Sequence, residues 1–351
     1  MDKNLKNIQE NFSLKKYNSL KIDAKAKLFV SIKSLTQLKK LIKENYFINN
    51  KFIIIGEGTN ILFTKDFDGI VVKNDFQKDF KIRNLNNFIQ INSSSGIKFD
   101  VLIQRFLKYQ KENNMTIFGL ENLAKIPGTV GSAVVQNIGA YGVEQKDFIS
   151  FGIAIDLQTG EKEYFMDLDD KQNFGYRTSI FKQMETKYFI IEIAYSFRKS
   201  ICEKPNLNYP ALREKFENID LEEITPQLVY DTVSEIRKKK LPNIKKEPNA
   251  GSFFKNPIIS KRKFNSLELK YPDIVFYNFE DKIKISAAWL IEKCGLKGKR
   301  IGDVGISKKH SLILVNYGNA TGKEVIGFAE FVIKTVNKKF RIMIEPEVIF
   351  V

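Results

Sequence analysis

At 351 residues, with 43% hydrophobic and 12% aromatic side chains, the chain is long enough for two or three cored domains, which excludes wholesale disorder. Its formal charge of +16 points to anionic partners, but the lysines are scattered. The tightest runs, Arg237–Lys240 and Lys261–Lys263, accompany no nucleic-acid module, so they read as solvated surface and neither nucleic acid nor membrane is expected as a partner.

The same survey narrows the chemistry. Cys202 and Cys294 stand alone without C-x-x-C, and His310 is the one histidine, which argues against a zinc site, a disulfide framework or a His-based triad. No metal is expected. The first residues lack the apolar region of a secretory signal, and no apolar run reaches the roughly 18 residues that span a bilayer. The expected location is cytoplasmic.

In chain order, residues 28–32, 52–55 and 69–73 read as short strands. Between the first two, Leu35, Leu38, Leu41 and Ile42 repeat at helical spacing. Directly after the second strand comes G-E-G-T-N at 56–60, a glycine turn that alone is a weak signal. A second unit begins near Asp75, with a strand at 88–91 and a helix presenting Phe99, Leu102, Ile103, Phe106 and Leu107.

Residues 126–142, I-P-G-T-V-G-S-A-V-V-Q-N-I-G-A-Y-G, carry four glycines and no charge. Glycine permits positive φ and close backbone approach, and exposed N–H groups in such turns form anion-binding nests. A tight structural turn between buried elements is the alternative. The density of glycine favours a loop that cradles a phosphate-bearing cofactor. It is neither a P-loop nor a G-x-G-x-x-G fingerprint.

Strands are expected at 151–157 and 189–197, separated by G-Y-R-T-S-I-F-K at 175–182, where Arg177 can pair with a carboxylate or phosphate or lie on a surface hairpin. Residues 200–225, with several charges and prolines, read as a surface connection. Thr225 and Pro226 open a helix carrying Val229, Val233 and Ile236. P-N-A-G-S-F-F-K-N-P at 248–257 is a loop holding Ser252. A short helix spans Ser286 to Gly295, a strand 311–315, and Thr321 with Glu324 forms a capping box for a helix through Val336. The chain closes on an expected strand, 341–350, with Glu345 and Glu347.

G-E-G-T-N-I-L, E-N-L-A-K-I-P-G-T-V-G-S-A-V-V-Q-N-I-G-A-Y-G, G-Y-R-T-S-I-F-K and N-A-G-S-F-F-K-N-P follow one another in an order that resembles the UDP-N-acetylenolpyruvoylglucosamine reductase family, over nearly the whole chain. The resemblance implies an α+β chain. It would hold a FAD-binding fold of the vanillyl-alcohol-oxidase/PCMH type in two subdomains, residues 1–74 with 341–351 and 75–224, plus a C-terminal α+β substrate-binding domain at 225–340. It implies non-covalent FAD, NADPH as co-substrate, UDP-N-acetylglucosamine enolpyruvate as substrate and UDP-N-acetylmuramate as product, in a monomer. The alternative is another FAD oxidoreductase of this fold. A nucleic-acid-binding protein built on basic patches is the reading from a different class.

Residue by residue, the family match places FAD contacts at Gly56, Gly58, Thr59, Asn60 and Ile61. A second group comprises Pro127, Gly128, Thr129, Gly131, Ser132, Gln136, Asn137, Gly139, Ala140 and Tyr141. It makes Arg177 the electrostatic stabiliser, Ser252 the proton donor to C2 and Glu347 the catalytic carboxylate, with hydride passing from flavin N5 to the enolpyruvyl C3. L-N-Y-P-A-L matches the tyrosine loop of the longer form, at Tyr209. Tyr176, Tyr209, Lys240, Asn256 and His310 match substrate or nicotinamide contacts. Thr59 stands where Ser is more common and Ile349 where Arg often follows E-V. Neither departure touches the proposed chemistry.

Overall fold

A computed structural model of the chain describes residues 8–165, 173–184 and 187–351. Two compact units emerge: one from the chain through Asn11 with Lys27–Glu57 and Asp68–Lys239, the other from Phe12–Ala26, Gly58–Phe67 and Lys240–Val351. The division into 1–74 with 341–351, 75–224 and 225–340 stays a proposal about subdomains.

A four-stranded sheet has the order Gln9–Ser13, Lys25–Ile32, Phe67–Asn74, Phe52–Ile55, the last two parallel with Phe52 opposite Ile70. Helix Leu35–Lys43, capped by the Ser34 hydroxyl, buries Leu38, Leu41 and Ile42 in one cluster with Val30, Ile32, Ile70 and Val72. This is the amphipathic spacing expected from the sequence.

A five-stranded antiparallel sheet follows, ordered Lys162–Phe165, Ile149–Asp156, Tyr188–Arg198, Phe88–Ser94, Phe80–Asn84. Helix Phe99–Glu112 joins its core through Phe99, Leu102, Ile103 and Phe106, clustered with Ile89, Ile91, Tyr195 and Phe197. Each such side chain stabilises the fold by about 1.5–3 kcal/mol relative to exposure. Val229, Val233 and Ile236 of helix Pro226–Lys240 belong to the same cluster.

Two expectations change here. The glycine-rich stretch is only partly loop, because Val130–Gln136 is a helix with a Thr129/Ser132 capping box. Its small apolar residues are nearly all buried, which hides helical periodicity. Residues 200–225 are more than a surface connection: helix Pro210–Phe216 buries Leu212 and Phe216, and Cys202 is buried too.

The second unit holds a four-stranded sheet, Asn249–Ser252, Ile313–Asn316, Val304–Ile306, Arg300–Ile301. It also holds a three-stranded sheet, Ile258–Ile259, Lys282–Ile285, Phe276–Phe279. Helix Gly322–Phe340 starts at the expected capping box, where the Thr321 hydroxyl accepts from the Glu324 N–H and a Glu324 carboxylate oxygen accepts from the Thr321 N–H at 2.7 Å.

The terminal strand is shorter than expected. Only Ile349–Phe350 is strand, pairing in parallel with Ile61–Leu62, while Pro346 makes a single bridge with Phe254. Pro346 has no N–H to continue a ladder. Among the described residues no helix is long and apolar enough to cross a membrane.

Candidate functional site

The two glycine stretches meet within the first unit. A Cβ on Gly56 would lie 2.9 Å from both Ser132 Oγ and Thr129 Oγ1, and one on Gly131 would lie 2.9 Å from Ser95 Cβ. Glycine is required at both for close approach. The N–H groups here are already engaged. Gly128 donates to Glu57 Oε2 at 2.9 Å, Thr129 to Ser132 Oγ at 2.9 Å, Val130 to the Ile97 carbonyl and Gly131 to the Ser95 carbonyl, both at 2.8 Å. Residues 128–131 therefore form no open anion nest. The structural-turn alternative describes this portion, and Glu57 is itself neutralised by Lys98 at 2.8 Å. Pro127 is exposed beside it.

Farther along the run, Asn137 is fully buried with φ +43, donates to the Gly175 carbonyl at 2.9 Å and leaves Oδ1 buried without a partner. Gln136 Oε1 accepts from Lys182 at 3.4 Å. Gly139–Ala140 pairs with Val143–Glu144.

Arg177 lies in a hairpin turn between Gly175 and Thr178, at a left-handed φ of +58. That conformation costs a non-glycine residue about 1–2 kcal/mol. Its Nη2 donates to the Gly139 carbonyl at 2.9 Å and Nη1 to the Asn137 carbonyl at 3.5 Å, with the guanidinium 5.2 Å from the Tyr176 ring centroid. The Arg is thus a half-buried clamp on the glycine-rich run.

Tyr141, at φ +49, packs edge-on against Tyr209 with centroids 5.0 Å apart. Burial pushes the Tyr141 phenol above its usual range, and the Arg237 guanidinium hydrogen-bonded to it opposes that. Arg237 opens the R-K-K-K run read as solvated, yet it is half-buried, and burial lowers its own pKa. Three lysines beside it hid this. Asn122 and Asn206, also unmarked in the sequence, tie the Tyr209 loop to Tyr141 and Gly142. Lys240 is the exposed last residue of helix Pro226–Lys240.

Nearby, Glu121 is fully buried, with Oε2 accepting from the Gly119 N–H at 2.7 Å and Oε1 unpartnered. Burial pushes its pKa up to about 7. Burial, and then Glu121, push the Cys202 thiol up to about 11.

In the second unit, backbone pairing gathers the other candidates. The Phe253 N–H donates to the Leu312 carbonyl and its carbonyl accepts from the Glu347 N–H, both at 2.8 Å, so Ser252, Glu347 and the 310–312 turn lie on adjacent segments. His310 Nδ1 accepts from the Leu312 N–H at 3.2 Å, which sets the tautomer with the proton on Nε2. Asn256 Oδ1 accepts from the Ala287 N–H at 2.9 Å. Asn60 Nδ2 donates to the Glu347 carbonyl at 3.3 Å, and buried Ile61 pairs with Ile349.

The residues fit a flavin dinucleotide in part. In the first unit, Asn137 Oδ1 is an unmatched buried acceptor. That acceptor, rather than the N–H groups of 128–131, is the group here able to bind one of its polar atoms.

A FAD binding domain profile matches residues 26–161, and a UDP-N-acetylenolpyruvoylglucosamine reductase C-terminal domain profile matches 243–351. The chain is 42% identical to the UDP-N-acetylenolpyruvoylglucosamine reductase of Flavobacterium johnsoniae over 97% of this chain and 98% of that one. It is 39% identical to that of Porphyromonas gingivalis, covering 98% and 99%. The reductase structure from Thermus caldophilus superposes with a TM-score of 0.63 at 21% identity, covering 98% and 97%, and so bears on the fold. The expected α+β architecture, a FAD-binding domain followed by a distinct C-terminal domain, agrees with these matches.

Proposed function

The chain belongs to the UDP-N-acetylenolpyruvoylglucosamine reductase family, and from that premise we propose that NADPH is its reductant, that it works as a cytoplasmic monomer, and that Arg177, Ser252 and Glu347 carry its chemistry. It is a FAD-dependent oxidoreductase that reduces the enolpyruvyl group of UDP-N-acetylglucosamine enolpyruvate for peptidoglycan precursor synthesis. Near-full-length similarity to reductases of that name carries the reading.

Bound flavin supplies the reducing equivalents. Reduction at the enolpyruvyl methylene carbon builds negative charge at C2 and on the adjoining carboxylate. The Arg177 guanidinium, already oriented by the Gly139 carbonyl, is suited to meet that charge. Ser252, exposed at the end of strand Asn249–Ser252, delivers the proton to C2. A hydroxyl is a weak acid, so it works because the intermediate is strongly basic. Glu347, with its backbone pinned to Phe253, acts as hydrogen-bond partner or in protonated form. Tyr209 and Lys240 receive the diphosphate, Tyr176, Asn256 and His310 the rest of the substrate or the nicotinamide.

The test is an anaerobic absorption titration of the holoenzyme. NADPH should bleach the flavin bands and the enolpyruvyl sugar should restore them. Bleaching without restoration by this sugar would discard the substrate assignment.

A further inference from the structure

Tyr209 is carried on a segment that two asparagines fasten to the glycine-rich run. Asn122 is 0% exposed, and its Nδ2 donates to the Tyr141 and Asn206 carbonyls, each at 2.8 Å. Those two bonds use both protons of the amide. The reverse amide orientation would set an oxygen against two carbonyl oxygens, so the assignment is unambiguous. Asn122 Oδ1 is left buried and unpartnered, a desolvation cost that an apolar residue would avoid. The amide is therefore present for its two donors.

Asn206 completes the fastening. Its Nδ2 donates to the Gly142 carbonyl at 3.0 Å and its Oδ1 accepts from the Asn208 N–H at 3.2 Å. Tyr141 and Gly142 are consecutive left-handed residues, φ +49 and +83, which turns the chain so that both carbonyls come within reach of these amides. Tyr209 itself precedes helix Pro210–Phe216, and its ring meets the Tyr141 ring at 70°. Arg237 holds the Tyr141 hydroxyl.

We infer that Asn122 and Asn206 are positioning residues for Tyr209, presetting its hydroxyl for the diphosphate of a nucleotide substrate by holding the 205–209 segment against Tyr141 and Gly142. This rests on the reading of Tyr209 as a diphosphate contact. Neither asparagine touches substrate. Each acts by removing conformations that Tyr209 would otherwise sample, which lowers the ordering cost of binding.

Steady-state kinetics on the holoenzyme, with hydrogen exchange of the 203–212 segment, tests this. Asn206→Ala and Tyr209→Phe should each raise KM for the enolpyruvyl UDP-sugar about tenfold, or 1.4 kcal/mol, while kcat stays within about twofold. Flavin content and spectrum should not change. Combined in one chain, the two substitutions should not add, because the first acts through the second. Additive effects, or an unchanged KM in Asn206→Ala, would overturn the inference. Exchange of the Asn208 amide should accelerate in Asn206→Ala, and unaltered exchange would also overturn it. Asn122→Asp, which replaces two donors by acceptors at constant size, should show the larger KM effect if the protein folds. Wild-type protein that never turns over the sugar would defeat the functional reading alone, and the exchange measurement would still decide whether the segment is fastened.

Discussion

Gly58 and Gly251 have nearly the same backbone angle, φ +64 and +73, in surroundings that differ sharply. A Cβ on Gly58 would fall 1.9 Å from the Tyr17 carbonyl oxygen, whereas one on Gly251 would meet nothing within 4 Å. The G-E-G-T-N turn needs glycine for space as well as for angle; the N-A-G-S strand, expected as loop but paired with Ile313–Asn316 through a register shift, needs it for angle alone. The first is a wall, crossed by the Ser19 to Gly58 backbone bond at 2.9 Å. The second leaves the neighbouring Ser252 exposed, as the proposed proton delivery requires.

The largest expected effect is at the wall. Gly58→Ala forces a methyl into a backbone carbonyl at an unfavourable angle, and should destabilise by about 3–5 kcal/mol, read from the urea midpoint. A variant as stable as wild type would break the contrast. Ser252→Ala should leave flavin reduction by NADPH unchanged and slow reoxidation by the sugar by about 10²–10⁴-fold. Stopped-flow traces showing both halves slowed equally would mean that the open strand end serves folding, not proton delivery.

Glu121 sharpens the crowded side of the comparison. Its folded-state pKa is raised from 4.5 to about 7, so the native protein binds this proton more tightly than the unfolded chain does. Stability is therefore undiminished by this group below the unfolded pKa and falls as pH rises towards the folded one, by roughly 3 kcal/mol in all. Glu121→Gln should flatten that slope in denaturation curves at pH 5 and pH 8, and an unaltered slope would assign it elsewhere. Smallest is Gly251→Ala, about 1–2 kcal/mol of backbone strain with kcat nearly kept.

What could be read from the chain beforehand follows a physical division. Local signals were readable: the Thr321 and Glu324 box, Pro226 at a helix start, and the strand at 189–197. The hidden helix at Val130–Gln136 is buried on nearly all sides and so shows no amphipathic period. Residues 341–350 look like a strand because Ile342, Ile344 and Val348 are apolar, but Pro346 breaks the ladder. At the candidate site, motif resemblance pointed to Arg177 and Tyr209, yet not to what holds them. Asn122, Asn206 and Arg237 act through partners 19 to 112 residues away, and no local pattern encodes such distances.

The second unit draws on residues 12–26 and 58–67 as well as on everything after 239. During synthesis its two early pieces emerge long before the segments that complete it. At about 5–20 residues per second, roughly 10–35 s separate Phe67 from Lys240 leaving the ribosome. Throughout that interval the apolar Ile61, Leu62 and Phe63, all buried in the finished fold, have no partner from their own unit's main body. Chaperone binding to nascent chains should concentrate on those residues, and end when translation has passed the C-terminal sheets.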